Sequence, residues 1–123
     1  MTHHSSANRS AAMNQCIENC TGCHAICLET MSYCLTKGGA HAAAEHIALL
    51  ASCADICSTC AAAMLRGSPA SNAICGACAE VCRQCAESCE RFPDDAQMKS
   101  CAESCRRCVE SCTAMAGMSA MKM

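Results

Sequence analysis

Cysteine is the residue type in this sequence with the greatest capacity for chemistry. Seventeen of the 123 residues are cysteine, and the stretch CGACAEVCRQCAESC at 75–89 holds five of them at gaps of three and four residues. In a short chain such an excess is typical of a disulfide scaffold or of a metal site. Composition alone leaves both alternatives open.

The spacing of the cysteines is helical. Within each segment every gap is three, four or seven residues, which is the rhythm of positions that face the axis of a helical bundle. The sequence therefore predicts that cysteine takes the inward positions where leucine is usual. These residues are Cys16, Cys20, Cys23, Cys27, Cys34, Cys53, Cys57, Cys60, Cys75, Cys78, Cys82, Cys85, Cys89, Cys101, Cys105, Cys108 and Cys112.

Glycine- and proline-containing breaks divide the chain into four segments. The breaks are Gly38-Gly39, then residues 66–69 and then residues 92–95. One Tyr, one Phe and no Trp, with few β-branched residues, argue against a sheet. The segments predict helices over residues 10–37, 41–66, 71–91 and 95–116.

Residues suited to helix ends flank these segments. Gly38 and Gly67 stand where a C-cap favours positive φ, and Ser71 and Asp94 or Asp95 are suitable N-caps. Short connections make consecutive helices antiparallel neighbours. The predicted fold is all-α, an antiparallel up-down-up-down four-helix bundle with a cysteine-lined core.

The domain organisation follows from these segments. We expect a disordered N-terminal extension over residues 1–12, the bundle over 13–116 and a methionine-rich tail over 117–123. The same helical register predicts further inward residues at the ends of and between the cysteine stripes. They are Met13, Thr30, Ala43, His46, Leu50, Met64, Phe92, Met98 and Met115.

Charge and hydropathy limit the partners and the location. A net charge of −2 gives no general attraction to nucleic acid or to an anionic membrane. The N-terminal residues lack the apolar stretch of a secretory signal, and we expect no run to approach a membrane span. These features predict a cytoplasmic protein, where thiols stay reduced and dense cysteine favours metal binding over disulfides.

Packing and disulfides are the structural alternatives to a metal site. A free cysteine is a small hydrophobe, but seventeen give too little volume to fill a bundle core. Neighbouring thiols on one helix face are poorly placed for a disulfide. Metal binding is therefore the favoured interpretation.

The donor set favours Cu(I), with many ions per chain. Thiolates and thioethers select soft metals, and the methionines at the stripe ends favour Cu(I) over zinc or iron. About one Cu(I) per thiolate leaves the core near neutral, since each ion replaces a proton. The alternatives are an iron–sulfur protein for electron transfer or a zinc-buffering protein. No cysteine is set apart as an activated nucleophile, so we do not expect an enzyme.

The two ends of the predicted bundle differ in composition. One end gathers Tyr33, Cys34, His41, His46, Cys89, Phe92, Met98 and Cys101, and the other gathers Met13, Cys16, Cys60, Met64, Cys75, Cys112 and Met115. Candidate metal ligands beyond cysteine are His46, His41, Met64, Met98 and Met115. The methionine-rich end is the candidate entrance for Cu(I), whereas His24 falls off the stripe and suits a surface role.

The cysteine motifs resemble those of the cytosolic copper storage proteins. The resemblance covers about Met13 to Met115 and implies a four-helix bundle that stores many Cu(I) ions as thiolate clusters, without catalytic turnover and as a homotetramer. A copper chaperone would then be a partner that delivers the metal. The motifs are Cys16-x₃-Cys20-x₂-Cys23-x₃-Cys27, Cys53-x₃-Cys57-x₂-Cys60, Cys75 through Cys89, and Cys101-x₃-Cys105-x₂-Cys108-x₃-Cys112.

A second apolar stripe remains on the first two helices. Small domains bury little apolar surface alone, so we expect self-association through these helices. The stripe comprises Ile17, Leu28, Met31, Leu35, Ile47, Leu49, Ile56 and Leu65.

Overall fold

Four α-helices make up the structure, a computed structural model that describes residues 9–121 and the side chains of residues 9–118. A short 3-10 turn, Gly39–Ala42, lies between the first two helices, and no strand occurs over residues 9–121. The all-α prediction is confirmed. The helices are α1 (Ala11–Lys37), α2 (Ala44–Leu65), α3 (Ser71–Glu90) and α4 (Ala96–Met121).

The helices form a closed ring of neighbours around one axis. α1 packs against α2 and α4, and α3 packs against the same two helices. The connections at 38–43, 66–70 and 91–95 are short, so successive helices run in opposite directions. This arrangement is the predicted four-helix bundle.

The connection between α1 and α2 differs from the prediction. The sequence predicted the second helix from residue 41, but α2 begins at Ala44 after the 3-10 turn. Gly38 has φ of 75° and its amide donates to the carbonyl of Cys34, which ends α1 as predicted. Gly39 also has a positive φ, 56°, so two glycines in succession redirect the chain here.

The turn between α2 and α3 confirms one predicted cap and corrects another. Gly67 has φ of 65°, and the amides of Gly67 and Ser68 donate to the carbonyls of Met64 and Ala63, which is a Schellman-type C-cap. Ser71 was predicted as the N-cap of α3 but is its first helical residue. Ala70 takes the N-cap position without a side-chain cap, and the hydroxyl of Ser71 donates to the carbonyl of Ser68.

The start and end of α4 also bear on the prediction. Asp95 caps this helix, because its Oδ1 accepts from the amides of Gln97 at 3.0 Å and Met98 at 3.2 Å. The helix continues to Met121, past the predicted end at residue 116.

In the predicted N-terminal extension, residues 1–8 lie outside the described residues, and α1 already includes residues 11 and 12. In the predicted methionine-rich tail, the side chains of Met121 and Met123 also lie outside the described residues.

The core confirms most of the predicted inward residues. Thr30, His46, Leu50 and Met98 are fully buried, and Met64 and Met115 are nearly so. Met13 and Phe92 pack against the core and are partly buried. Ala43 was predicted to face inward and is exposed, because it precedes α2 and is not part of its regular turns.

The charged residues lie on the outer surface, as expected for a soluble helix face. Arg83 pairs with Glu80 and Glu87 along α3, and Arg106 of α4 pairs with Glu90 of α3 at 2.8 Å. All five side chains are at least 41% exposed, so these pairs contribute little to stability.

One described helix, Ala44–Leu65, is long and apolar enough to cross a membrane by length and composition, with a mean hydropathy of 1.7 over its most apolar window. The expectation that no run approaches a membrane span is therefore wrong by this criterion. Core helices of soluble bundles meet the same criterion, and this helix turns three fully buried cysteines into the bundle.

Candidate metal centre

The seventeen cysteines form a continuous thiol column along the bundle axis. Each is a free thiol, and each has no exposed surface. The prediction that all of them face inward is confirmed. All four helices contribute, because the three- and four-residue gaps keep each stripe on one face. From here on, "thiol column" denotes these seventeen residues.

Thiols from different helices are close enough to share a metal ion. The shortest sulfur–sulfur distance joins Cys60 of α2 to Cys75 of α3 at 3.3 Å. At the middle of the column, the Sγ of Cys53 lies 3.6 Å from that of Cys82 and 3.8 Å from that of Cys23. These contacts connect neighbouring helices through sulfur.

Several groups of thiols are compact enough to surround one ion. One such group takes a single cysteine from each helix, and its four sulfurs lie within 4.8 Å of one another. Some cysteines belong to more than one group, so a sulfur there can bridge two ions. The groups are Cys20/Cys60/Cys78/Cys112, Cys23/Cys53/Cys57/Cys82, Cys23/Cys27/Cys53/Cys105, Cys16/Cys75/Cys112 and Cys20/Cys57/Cys108.

Mutual hydrogen bonds raise the pKa of some thiols in the column and lower that of others, such as Cys23. The pKa of Cys57 is raised by hydrogen bonds to other thiols, Cys108 first, and by burial. The pKa of Cys105 is raised in the same way, chiefly through Cys101. Such thiols keep their protons in the absence of metal, and a soft cation must displace those protons to bind.

The thiol of Cys108 bonds to the protein backbone. Its Sγ donates to the backbone carbonyl of Asn19 on α1 at 3.1 Å. The side-chain amide of Asn19 donates in turn to the hydroxyl of Ser111 on α4 at 3.2 Å. Asn19 thus fastens α1 to α4 beside the column, a role for which its position in the sequence gives no signal.

A mixed-donor set closes the column at the end formed by the C-terminus of α1. The Sγ of Cys34 lies 3.5 Å from the Nε2 of His46 and 3.5 Å from the Sδ of Met98, and all three residues are fully buried. The sequence predicted that these residues meet, and the structure brings them together. We call Cys34, His46 and Met98 the mixed-donor set.

The mixed-donor set is partly separated from the rest of the column. Thr30 of α1 and Leu50 of α2 occupy the inward positions between it and the next cysteines of their helices, and both are fully buried. Gln97 donates to the Thr30 hydroxyl at 2.9 Å, which satisfies that buried group. On these two helices the thiol lining is therefore interrupted for one layer.

Ser88 holds the imidazole of His46, and sequence reasoning missed it. The Nδ1 of His46 lies 2.6 Å from the Ser88 hydroxyl, which also accepts from Arg91 at 3.4 Å. A hydroxyl both donates and accepts, so Ser88 can serve either neutral tautomer. Burial lowers the pKa of His46, with the positive charge of Arg91 as a second cause. The ring is thus kept neutral, the form that binds metal.

The pKa of Cys34 is raised to about 11. Burial is the first cause, and the charges of Cys101 and Asp95 add to it. A proton therefore stays on this thiol at neutral pH until a cation displaces it.

His41 lies at the same end but faces a carboxylate. Its Nε2 is 2.9 Å from the Oδ2 of Asp95, which also accepts from the Tyr33 hydroxyl at 2.7 Å. These bonds, that of Tyr33 first, lower the pKa of Asp95 to about 2, so the carboxylate is ionised. The sequence predicted Asp95 only as a helix cap, because the folding of the 3-10 turn towards α4 cannot be read from it. Ligation by His41 stays a prediction.

Thioethers line the opposite end of the column. The Sδ of Met64 lies 4.0 Å from the Sγ of Cys75, and Met64 and Met115 are each 2% exposed. Met13 packs against the same core from α1. The predicted grouping of methionines with the terminal cysteines is thereby confirmed. His24 was predicted to lie off the stripe, and its Nδ1 lies 2.8 Å from the carbonyl of Ala54.

Solved structures resemble the chain over most of its length. The crystal structure of a protein from Nitrosospira multiformis is 41% identical, covers 87% of this chain and 96% of its own, and has a TM-score of 0.82. A Cu(I)-bound copper storage protein, BsCsp3, is 34% identical, with coverage of 85% and 98% and a TM-score of 0.80. A search of proteins with curated descriptions finds no match.

A third similar structure is a cytosolic copper storage protein from Streptomyces lividans with five coppers. It is 31% identical, covers 86% of this chain and 92% of its own, and has a TM-score of 0.80. The model of the family described as "copper storage protein" matches residues 9–117, which include the whole thiol column. The chain belongs to the copper storage protein family.

Proposed function

We propose that this protein stores Cu(I) ions as thiolate-bridged clusters inside the bundle, with roughly one ion per cysteine. The observation that carries the proposal is the thiol column itself, seventeen free and fully buried thiols whose sulfurs approach one another across the helices. The thiol column runs the length of the bundle, so it offers ligands for many ions rather than for one.

The chemistry of the column suits Cu(I) better than a divalent ion. Thiolate and thioether are soft ligands, and Cu(I) is among the metals they select. A thiolate that bridges two ions, each bound by two thiolates, gives about one Cu(I) per sulfur. The filled column is then close to neutral, which avoids the cost of burying uncompensated charge.

The relatives support this proposal through what they are described as binding. One is a Cu(I)-bound copper storage protein, and another is a copper storage protein loaded with 10 copper equivalents. Both hold the same fold. We propose buffering, detoxification or supply of copper as the purpose of the store, and no catalytic role.

Location and partners follow from the same reasoning. We propose that the protein acts in the cytoplasm, where reduced thiols are available to bind metal. We further propose a homo-oligomer, a tetramer, and delivery of the metal by a copper chaperone. The exposed side chains of Leu28, Leu35 and Leu65 support association through α1 and α2.

A competitive titration tests the storage function. Reduced apo-protein is titrated with Cu(I) in the presence of a chromophoric chelator, and we expect uptake of more than ten equivalents before the chelator colours. Tight uptake of one to four equivalents would contradict storage. Loss of about one proton per ion, measured without buffer at constant pH, checks that thiols are the ligands.

Zinc buffering is the second candidate, and one observation favours it. The four sulfurs of Cys20, Cys60, Cys78 and Cys112 lie within 4.8 Å of one another, and Zn²⁺ prefers four thiolates in a tetrahedron. Zinc-loaded protein is challenged with Cu(I). Displacement of all zinc supports the copper store, whereas resistance to displacement at equal capacity favours zinc.

A further inference from the structure

Asp95 joins three separate parts of the chain at the end that holds the mixed-donor set. Its Oδ2 accepts from Tyr33 at the end of α1 and lies 2.9 Å from the Nε2 of His41 in the 3-10 turn. Its Oδ1 accepts from the first amides of α4. We call Tyr33, His41 and Asp95 the latch.

The ring of His41 packs on Phe92, which in turn packs near the ring of His46. Its centroid is 4.2 Å from that of Phe92 and 5.9 Å from that of Tyr33, and Phe92 lies 5.5 Å from His46. The side chains of His41 and Asp95 are 18% and 14% exposed, whereas Cys34 and His46 are fully buried. This aromatic layer separates the mixed-donor set from solvent.

The 3-10 turn that carries His41 is held down by side chains. Among the described residues, the backbone bonds of the 3-10 turn stay within its own connection, as from Ala43 to Ala40, and none reaches α3 or α4. Gly38 and Gly39 precede His41 with positive φ, a conformation that glycine adopts and leaves at little cost. The turn can therefore lift on this pair of glycines once the bond between His41 and Asp95 is broken.

We infer that the latch is a closure over one end of the store, in which Asp95 is the positioning residue that keeps His41 across the mixed-donor set. This inference rests on the proposed function. The closure limits the rate at which Cu(I) ions exchange at this end and leaves the number of ions unchanged, because none of the seventeen thiols takes part in it. Loop closure over a site acts on exchange rates in this way in other proteins.

Two conservative substitutions weaken the latch without removing a thiol. Asp95→Asn retains the helix cap through its amide oxygen, but it places an NH₂ group, which cannot accept a hydrogen bond, where Oδ2 accepts from Tyr33 and faces His41. Tyr33→Phe removes only the hydroxyl and leaves the bond between His41 and Asp95 in place, so it is the weaker of the two variants. Asp94→Asn, at the exposed neighbouring position, is the matched control.

The first measurement compares rates with capacity. Cu(I) uptake from a chromophoric chelator, and release to an excess of it, are followed by stopped flow for the full-length protein. We expect both rates to rise about threefold or more in Asp95→Asn and by less in Tyr33→Phe, with unchanged total uptake. Rates in Asp95→Asn equal to those of wild type and Asp94→Asn would overturn the inference, as would slower exchange in Asp95→Asn.

The second measurement needs no copper. Reduced apo-protein is treated briefly with iodoacetamide, and labelling of each cysteine peptide is quantified by mass spectrometry. We expect faster labelling of Cys34 in the latch variants and unchanged labelling of Cys75 at the opposite end. Equal acceleration at both ends indicates general loosening and overturns the inference. Failure of the proposed storage function would give a different result, because the wild-type protein would then bind few Cu(I) ions whether or not the latch is intact.

Discussion

The Sγ of Cys34 lies 3.5 Å from the Nε2 of His46, so the column of sulfur ends in a nitrogen donor. Met98 stands at the same distance from Cys34 on the other side. Nitrogen and thioether bind Cu(I) more weakly than bridging thiolates do. We therefore expect an ion at this end to be bound more weakly than the ions among the bridging thiolates.

Replacement of His46 by leucine tests this assignment. The change puts an apolar side chain of similar size in place of the imidazole and removes its nitrogens, so we expect capacity to fall by no more than about one ion. Titration against a chelator measures the capacity. His24→Leu, off the column, should not alter it. Loss of several equivalents in His46→Leu would mean that the histidine organises clusters in the column.

Thr30 offers the opposite test, a gain of capacity. It is fully buried on the cysteine stripe of α1 between Cys27 and Cys34, and its hydroxyl is bonded only from Gln97 among the described side chains. A thiol at this position would extend the column into the interrupted layer. We expect Thr30→Cys to bind about one ion more than wild type.

Thr30→Ser is the matched control for that change, because it is equally small but lacks sulfur. Its capacity should equal that of wild type in the same titration. If folded Thr30→Cys also binds no additional ion, the layer at Thr30 and Leu50 is unsuited to metal, and the mixed-donor set is isolated from the clusters.

The sequence predicted the thiol column well because helical spacing alone determines which face each cysteine takes. Cys16 and Cys112 are far apart in the chain, yet their sulfurs meet at 3.6 Å, as expected from the antiparallel order of α1 and α4. The register of an ideal helix carries this information over many turns. The register does not apply outside a helix. Ala43, which precedes α2, is exposed although it was predicted to face inward.

The contacts of the connections could not be predicted in the same way. Both the bond of His41 to Asp95 and the loss of Ser71 as a cap depend on the path of short irregular segments. That path is fixed by glycine φ angles and by packing against the finished bundle, not by periodicity. Ser88 beside His46 depends likewise on the offset between α2 and α3.

The stability of the reduced apo-protein should depend on pH at both extremes. The lowered pKa of His46 means that the unfolded chain takes up a proton first as the pH falls below 6.5, which favours unfolding. The pKa of Cys34 is raised from 9.0 to about 11, so the unfolded chain loses a proton first as the pH rises through that interval. We expect maximal stability between these limits.

Chemical unfolding followed by circular dichroism from pH 5 to pH 11 measures this profile. His46→Leu should flatten the acid limb and leave the alkaline limb as in wild type. The carboxylates on the surface titrate equally in both proteins, so they cancel in the comparison. An acid limb of unchanged steepness in the variant would show that His46 is not its source.

Association through α1 and α2 is expected from their exposed leucines. Leu35 is 58% exposed and Leu28 is 42% exposed, both on α1. A lysine at either position would bury a charge in an interface, so Leu28→Lys and Leu35→Lys should shift an oligomer towards monomer. Sedimentation velocity at micromolar concentration measures the shift. Glu103→Lys on α4 is the control, and a wild-type monomer would contradict the expectation.

The methionine-rich end is the predicted entrance, and its contacts allow a direct test. Met64 and Met115 retain slight exposure where the cysteines behind them have none, and Met64 lies beside Cys75. Thioethers would bind an incoming ion weakly and pass it to stronger thiolates. Replacement of Met13, Met64 and Met115 by leucine keeps the apolar volume, so we expect slower uptake with little change in capacity. Stopped-flow uptake from a chelator measures this rate, and Met31→Leu is the control.

Combined with Asp95→Asn, the triple variant should regain part of the lost rate, because ions can then pass through the unlatched end. An unchanged rate in the triple variant would exclude the methionines as the route of uptake.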